Sequence, residues 1–343
     1  MSKTAISYEV DDAPEIGHSR PIADGIVWLR MPLPFMLGHI NLWLLEDNDG
    51  WAIVDTGIST DISKDVWRQT ISGVMSGKPV KHVVVTHLHP DHVGCAGWLT
   101  DELDVDLWMT REEYLLCRIL VADTGRNAPT EGVRFYHAAG FPAESVHNYK
   151  KLFGMFGKYV APLPEAYRRL QDGDQLTFAG HTWEVIVGRG HSLEHACFFD
   201  AGRNLFISGD QLLPTISSNV SVYPTEPKAN PLQDWIESLQ KLKSRLPGDV
   251  LVLPAHGKPF RGAHARLDAL IQEHLDGLAK LYALCQQPLR AVDAFPALFK
   301  SRISDSNLIM ATGESVAHLN YLLADGALLA ETDDNNVIWY RQA

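Results

Sequence analysis

The chain has 343 residues, of which 45% are hydrophobic and 21% charged, and its formal net charge is −12 with histidine neutral. This composition is that of an ordinary folded protein, and the length suits two domains better than one. No segment approaches the roughly 18 consecutive apolar residues of a membrane span, so no membrane partner is expected. The acidic charge disfavours nucleic acid as a partner, because that binding depends on Lys and Arg neutralising phosphates.

Neither the N-terminus nor the cysteines indicate export. Residues 1–7 have no apolar core behind Lys3 and no cleavage-like site, so they do not resemble a signal peptide. The four cysteines lie far apart, without CxxC spacing: Cys95, Cys117, Cys197 and Cys285. This spacing indicates neither a disulfide framework nor a zinc knuckle, and it agrees with a cytoplasmic location.

Two strands are predicted near the start of the chain. The first long strand, at residues 41–45, follows an apolar, proline-limited segment at 31–38. That segment could form one wall of a cleft, or it could simply lead into a buried strand. The second strand, at 51–54, ends at Asp55-Thr56-Gly57, where an aspartate can cap the following turn through its side chain.

The run His87-Leu88-His89-Pro90-Asp91-His92 places three imidazoles and a carboxylate within six residues, directly after the strand predicted at 83–86. A strand end gains no stability from four such groups, because polar side chains are costly to bury without partners. Imidazole and carboxylate are ligands for zinc, iron or manganese, and hydrolytic metal sites keep one position open for water. The run therefore predicts a metal-dependent enzyme.

Residues 110–171 are predicted to be a lid-like insertion before the next strand, at 175–187. A helix is expected at 111–122, followed by a segment rich in Gly and Pro that indicates loops. Three lysines alternate there with aromatic residues: Lys150, Lys151 and Lys158. This pattern is typical of an amphipathic cap with buried aromatic and solvated Lys side chains. The alternative is a cleft wall for a nucleotide-containing carrier such as coenzyme A.

Three later apolar stretches each end at a His or an Asp residue. They lead to His191 within Gly190-His191-Ser192, to Asp210 after Phe206-Ile-Ser-Gly, and to His256 before Gly257. Each of these residues follows a strand-like stretch, so separate strands can bring their side chains together at one edge of the fold.

Together these motifs resemble the metallo-β-lactamase superfamily, whose HxHxDH signature matches residues 87–92. The other motifs follow in the family's order, and the match covers about residues 20–262. The resemblance implies a fold of the α/β class, an αββα sandwich of two mixed sheets with helices outside. It also implies that residues 1–262 form the catalytic domain.

The resemblance further implies a set of metal ligands. The first ion would be bound by His87, His89 and His191, the second by Asp91, His92 and His256, and both by a bridging Asp210. Asp55 would lie behind these ligands and orient an imidazole, whereas His195 is expected to be structural. Two divalent ions are therefore expected, zinc first, with iron or manganese as alternatives.

The C-terminal residues 263–343 are predicted to form a small, mainly helical domain. The predicted elements are helices at 264–285, 291–300 and 315–324, and strands at 327–331 and 337–340. This order resembles a winged-helix domain. Because residues 314–325 contain no Lys or Arg, we expect a role in packing or in a homodimer rather than in binding nucleic acid.

The ligand set predicts a hydrolase that attacks with hydroxide bound by two metals, while Asp91 or Asp210 relays a proton to the leaving atom. The first hypothesis for the substrate is a small ester or thioester, such as an acyl-CoA. A phosphodiesterase or ribonuclease is the second hypothesis, and lactone or β-lactam hydrolysis remains chemically open. The complete ligand set disfavours a non-enzymatic binding protein, and the lack of a signal peptide counts against a secreted β-lactamase.

Overall fold

The structure, a computed structural model, describes residues 6–35, 37–178 and 180–343. Residues 1–5, Met36 and Ala179, which belong to segments interpreted above, lie outside these ranges. Two mixed β-sheets pack face to face between layers of helices, which confirms the predicted αββα sandwich of the α/β class. A short strand, β1 (Ser7–Tyr8), begins the described chain.

The first sheet contains seven strands of the described chain, which lie side by side in chain order. They are β2 (Ser19–Ala23), β3 (Ile26–Pro32), β4 (His39–Glu46), β5 (Trp51–Val54), β6 (Val80–Val84), β7 (Leu107–Thr110) and β8 (Arg168–Leu170). Strands β2 to β5 are antiparallel, and β5 to β8 are parallel. Parallel neighbours need crossover connections, and helices supply them: α1 (Asp61–Ser72), α2 (Pro90–Val93) and α3 (Ala96–Leu103).

The second sheet has the order β1-β14-β13-β12-β11-β10-β9. Its later strands are β9 (Gln175–Phe178), β10 (His181–Gly188), β11 (His195–Asp200), β12 (Leu205–Gly209), β13 (Leu251–Pro254) and β14 (Phe260–Arg261). Only β12 and β13 form a parallel pair among these described strands, and α7 (Pro231–Arg245) joins them. The prediction of a single strand at 175–187 is wrong, because a turn at Gly180, with a φ of 67°, divides this segment into two antiparallel strands.

The core has three apolar layers. Trp28 stacks on Trp43 between the sheets, at 6.0 Å between ring centroids. Trp67 of α1 packs on the outer face of the first sheet, and Trp235 of α7 packs on the outer face of the second. Because both faces of each sheet are buried, the central strands read as nearly continuous apolar runs. Polar side chains therefore collect at the strand ends.

The insertion between β7 and β8 is more helical than predicted. Its helices are α4 (Arg111–Ala122), α5 (Thr130–Ala138), α6 (Ala143–Leu152) and a short 3-10 helix at Phe156–Lys158. The helix expected at 111–122 is confirmed. The prediction of loops in the rest of the segment is wrong, because Pro129 and Pro142 each directly precede a helix, where proline is tolerated. Tyr136, Phe141 and Tyr149 are buried in a cluster of their own. The three lysines of this segment are exposed, as expected for an amphipathic cap.

The C-terminal region follows the predicted order with shifted boundaries. Its elements are α8 (Ala263–Leu284), a 3-10 helix at Ala291–Ala294, α9 (Phe295–Leu298), α10 (Leu308–Ala324), β15 (Leu328–Thr332) and β16 (Ile338–Gln342). The helix expected at 291–300 is two short pieces, and α10 begins earlier than predicted. Thr312 and Gly313 are weak helix formers, but both are buried in α10, so packing overrides their propensity.

Helix α10 packs against α7 and α8, and Leu319 lies in the apolar core beneath them. This position agrees with the expected packing role of the C-terminal helices. Within the part of the chain that the structure describes, no helix is both long enough and apolar enough to cross a membrane.

Candidate metal centre

The predicted ligands converge at one end of the sandwich. His87 and His89 lie in the connection that leaves β6, and the short helix α2 carries Asp91 and His92. The second sheet contributes three residues just beyond its strands: His191 after β10, Asp210 after β12 and His256 after β13. Parallel strands place their carboxyl ends at the same edge, so β12 and β13 bring Asp210 and His256 together.

The first of two side-chain clusters consists of His87, His89, His191 and Asp210, whose potential ligand atoms lie within 4.8 Å of one another. His87 Nε2 lies 2.9 Å from His89 Nδ1, and His191 Nε2 lies 3.3 Å from Asp210 Oδ2. Three imidazoles and one carboxylate oxygen therefore surround a single point.

The second cluster consists of Asp91, His92 and His256, again within 4.8 Å. Asp91 Oδ2 lies 3.3 Å from His256 Nε2 and 3.8 Å from His92 Nε2. Asp210 reaches this cluster as well, because its Oδ1 lies 3.5 Å from His92 Nε2 and 3.6 Å from His256 Nε2. The two oxygens of Asp210 thus face different clusters.

The arrangement fits cations. Among the described residues, the buried atoms His92 Nε2, His191 Nε2 and Asp210 Oδ1 have no hydrogen-bond partner. Buried polar atoms are normally paired, and leaving one unpaired is costly. These three atoms point into the two clusters, and imidazole nitrogen with carboxylate oxygen is a donor set that divalent transition metals accept. The site therefore supports divalent metal binding.

The charges of the two clusters differ. Burial and the neighbouring imidazoles lower the pKa of His87 well below its usual range and that of His89 to about 3, so both rings are neutral and able to bind a cation. In the second cluster, burial opposes a charged His92, but Asp55, Asp210 and Asp91 together raise its pKa well above the usual range. A cation bound there would displace that proton, and metal binding would release protons.

The second ring nitrogen of two predicted ligands also has a hydrogen-bond partner. His256 Nδ1 donates to the carbonyl of His39 at 3.1 Å, and His191 Nδ1 donates to the carbonyl of Asn219 at 2.7 Å. In each ring the protonated Nδ1 leaves Nε2 free to accept a cation.

Of the two roles considered for Asp55, the hydrogen bonds of the described residues support the orienting one, because its side chain faces Thr86 and His92 rather than the turn at Thr56 and Gly57. It has a φ of 62°, and its Oδ1 accepts the backbone N–H of Thr86 at 2.8 Å. Its Oδ2 lies 2.7 Å from His92 Nδ1. Asp55 therefore stabilises the strand ends and orients a predicted ligand.

His195 lies behind the predicted ligands. Its Nε2 accepts the backbone N–H of Asp210 at 3.1 Å, and its ring stacks on His87 at 4.6 Å. These contacts agree with the structural role expected for it.

Glu113 is a residue that the sequence analysis did not single out. It is fully buried at the start of α4, where burial raises its pKa. Its Oε2 accepts the N–H of Leu88 at 2.9 Å, and its Oε1 accepts the N–H of Glu194 at 2.8 Å. One carboxylate thus joins the loop of His87 and His89 to the loop of His191.

An αββα sandwich with histidines and aspartates clustered at the ends of its strands defines a metal-dependent hydrolase of the metallo-β-lactamase type. Residues 36–256 match the family described as the metallo-beta-lactamase superfamily. Residues 278–343 match the family described as the metallo-beta-lactamase-like C-terminal domain. The chain therefore belongs to the metallo-β-lactamase superfamily. The winged-helix likeness of its C-terminal region stays a prediction.

Similar proteins agree with this assignment. A β-lactamase domain protein from Burkholderia ambifaria is 38% identical, with a TM-score of 0.89 over 98% of this chain and 97% of that chain. A metallo-β-lactamase family protein from Thermus thermophilus is 26% identical, with a TM-score of 0.77 over 94% of this chain and 99% of that chain. The probable metallo-hydrolase YqjP of Bacillus subtilis is 23% identical over 326 residues, which are 92% of this chain and 97% of that protein.

Proposed function

We propose that this protein hydrolyses a small ester or thioester with two divalent metal ions, zinc being the first candidate. The observation that carries the proposal is the pair of side-chain clusters between which Asp210 divides its two oxygens. In this proposal His87, His89 and His191 would hold one ion and Asp91, His92 and His256 the other, while Asp210 would contribute an oxygen to each. Such a pair of ions lowers the pKa of water and polarises the electrophilic oxygen.

Asp91 and Asp210 are the proposed catalytic residues. Asp91 is the more accessible of the two, with 20% of its side chain exposed against 11% for Asp210. A carboxylate beside the reacting water can accept its proton and return it to the leaving atom. Asp91 is better placed to exchange a proton with a substrate, and Asp210 is better placed to hold the two ion sites together.

Two observations support an acyl substrate. Exposed apolar side chains lie close in sequence to residues that contact the site: Phe35 and Leu37 precede His39, whose carbonyl accepts the Nδ1–H of His256, and Leu193 follows His191. These side chains suit an apolar acyl group. Two relatives are named atrochrysone carboxyl ACP thioesterase, from Aspergillus fumigatus, and hydroxyacylglutathione hydrolase, from Hahella chejuensis. They are 24% and 26% identical over 68% and 48% of this chain, and the matches cover 41% and 61% of those proteins.

The decisive experiment measures thiol release from a short and a long acyl-CoA by metal-loaded protein, with a generic phosphodiester in parallel. We expect saturable thioester turnover that chelation abolishes. His89→Ala should abolish it too, whereas His147→Ala, which changes an exposed histidine of α6, should not. Full turnover and full metal content in His89→Ala would refute the ligand assignment.

A phosphodiesterase or ribonuclease is the second candidate, because the C-terminal order of helices and hairpin resembles a winged helix. The absence of Lys and Arg from residues 314–325 speaks against it. Phosphodiester cleavage without thiol release would make this candidate the working hypothesis.

We also propose that residues 1–262 and 263–343 are the two domains and that the second can mediate a homodimer. Three exposed apolar side chains of α8 support a contact surface: Leu275, Tyr282 and Leu284. Light scattering of the purified protein tests this proposal, and a monomer at all concentrations would refute it.

A further inference from the structure

An irregular segment of residues 211–222, which we call the support loop, lies between the metal centre and the C-terminal helices. It follows Asp210 directly, and most of its residues are buried although it has no helix or strand. Leu212, Val220 and Val222 belong to the same apolar core as α8 and α10. Because buried backbone must find hydrogen-bond partners, the groups that hold this segment determine its position.

On one side, the support loop holds two proposed ligands. The carbonyl of Asn219 accepts the Nδ1–H of His191 at 2.7 Å. The hydroxyl of Ser218 donates to the backbone carbonyl of Asp210 at 2.5 Å. Movement of this segment would therefore turn the His191 ring and shift the Asp210 backbone.

On the other side, α10 holds the support loop. Asn219 Nδ2 donates to Glu314 Oε2 at 2.7 Å. The N–H of Val222 donates to the carbonyl of Gly313 at 3.0 Å. Gly313 also allows a close approach, because a Cβ there would lie 2.8 Å from the side chain of Ser221.

Helix α8 adds a second attachment. The guanidinium of Arg266, itself buried, donates to the carbonyl of Leu213 at 2.7 Å and to that of Ile216 at 2.8 Å. Two helices of the C-terminal region therefore fix the support loop at both ends of the segment, and none of these contacts involves a proposed ligand.

We propose that the C-terminal helices serve as a positioning element for the metal centre, and that Glu314 is a positioning residue that orients His191 through Asn219. The inference rests on the metal ligands proposed above. It gives the C-terminal region a part in the hydrolase itself, since metal affinity would depend on contacts made by α8 and α10. Partners that orient ligands commonly change metal affinity about 10- to 100-fold when they are mutated.

The test is a titration of metal-free protein with Co²⁺, followed by its visible absorption, which reports on the ligand field. Glu314→Leu removes the oxygen that accepts from Asn219 Nδ2. Gly313→Ala adds a Cβ that is too close to the side chain of Ser221, although alanine has the higher helix propensity. Both should weaken Co²⁺ binding about 10- to 100-fold and alter the spectrum. Glu314→Gln keeps an acceptor oxygen and should retain wild-type affinity.

Leu322→Ala is the matched control. It removes buried apolar side-chain volume from α10 at a position away from the residues that hold the support loop. It should leave Co²⁺ affinity unchanged, and circular dichroism verifies that each variant is folded. Wild-type affinity in Glu314→Leu and Gly313→Ala would overturn the inference, as would an equal loss in Leu322→Ala. Wild-type protein that binds no Co²⁺ would refute the proposed metal centre and this inference with it, whereas a wrong substrate leaves the readout unaffected.

Discussion

Replacing Glu113 by glutamine tests how strongly one buried carboxylate stabilises the two loops that carry the proposed ligands. Glu113 accepts one backbone N–H from each loop, at 2.9 Å from Leu88 and 2.8 Å from Glu194. Glutamine keeps the size of the side chain but has one acceptor oxygen and one NH₂ group. In the Glu113→Gln variant, one backbone N–H must therefore face another donor.

The expected cost follows from these two bonds. A buried N–H without an acceptor costs about 1–3 kcal/mol, and a hydrogen bond to a charged acceptor contributes about 1.5–3 kcal/mol. Removing a carboxylate whose pKa is raised by burial offsets part of this loss. We expect a net loss of about 1–3 kcal/mol, which corresponds to a Tm lower by roughly 1–4 °C for a chain of this length, and metal affinity about 10-fold weaker.

Calorimetry of the metal-free protein and a metal titration measure the two effects. The control is Glu112→Gln, the same substitution at the neighbouring, exposed position of α4, which should change stability by less than about 0.5 kcal/mol. If both variants had the same Tm and the same metal affinity, the role assigned to Glu113 would be wrong.

Three further predictions concern the ligand that Asp55 orients, a buried pair of histidines and the metal itself. Asp55→Asn keeps a side chain that tolerates a positive φ but removes the negative charge beside His92, so metal affinity measured by titration should fall about 10-fold. The Tm should fall as well, because the amide NH₂ must face either the N–H of Thr86 or the ring of His92. Burial lowers the pKa of His274 to about 3 and that of His318 to about 4, so the folded state favours neutral rings. The contribution of the neutral rings to the free energy of unfolding is fully present above the unfolded-state pKa of about 6.5. It is lost as the pH falls towards 3–4, by up to about 2 kcal/mol per ring at pH 5. Denaturant unfolding at pH 7 and pH 5 should therefore show a smaller loss of stability in His318→Gln than in wild type, and equal losses would contradict the assignment. Chelation should lower the Tm, since a ligand at 100 times its Kd stabilises the folded state by about 2.7 kcal/mol, and zinc should restore it; an unchanged Tm would argue against bound metal.

The metal site at residues 87–92 could be predicted because its residues lie close together in the sequence. A strand followed by His87, His89, Asp91 and His92 within six residues requires no knowledge of distant contacts. His191, by contrast, could be added only through the family resemblance, because its approach to the run depends on how two sheets pack.

The residues that lie behind the proposed ligands could not be predicted from the sequence. Glu113 contacts a residue 81 positions away in the chain. The groups that it binds are backbone N–H groups, which almost every residue type has, so the sequence does not identify them. Asn219 acts on His191 through its own carbonyl, so its identity is informative only for the contact with Glu314. In the insertion, the same glycines and prolines that indicate loops also stand between short helices, and only their packing separates the two cases.

Each side-chain cluster takes members from both sheets. His87 and His89 come from the first sheet and join His191 of the second, while His92 of the first joins His256 of the second. An ion in either cluster would therefore tie together chain segments that are more than 100 residues apart, and a fragment containing one sheet would lack half of each binding site. Formation of the metal centre must then come late in folding, after the sheets have docked, since closing such long loops is slow. Metal affinity in this protein would consequently measure whether the whole sandwich is assembled, and a partly folded chain would be unable to begin the chemistry.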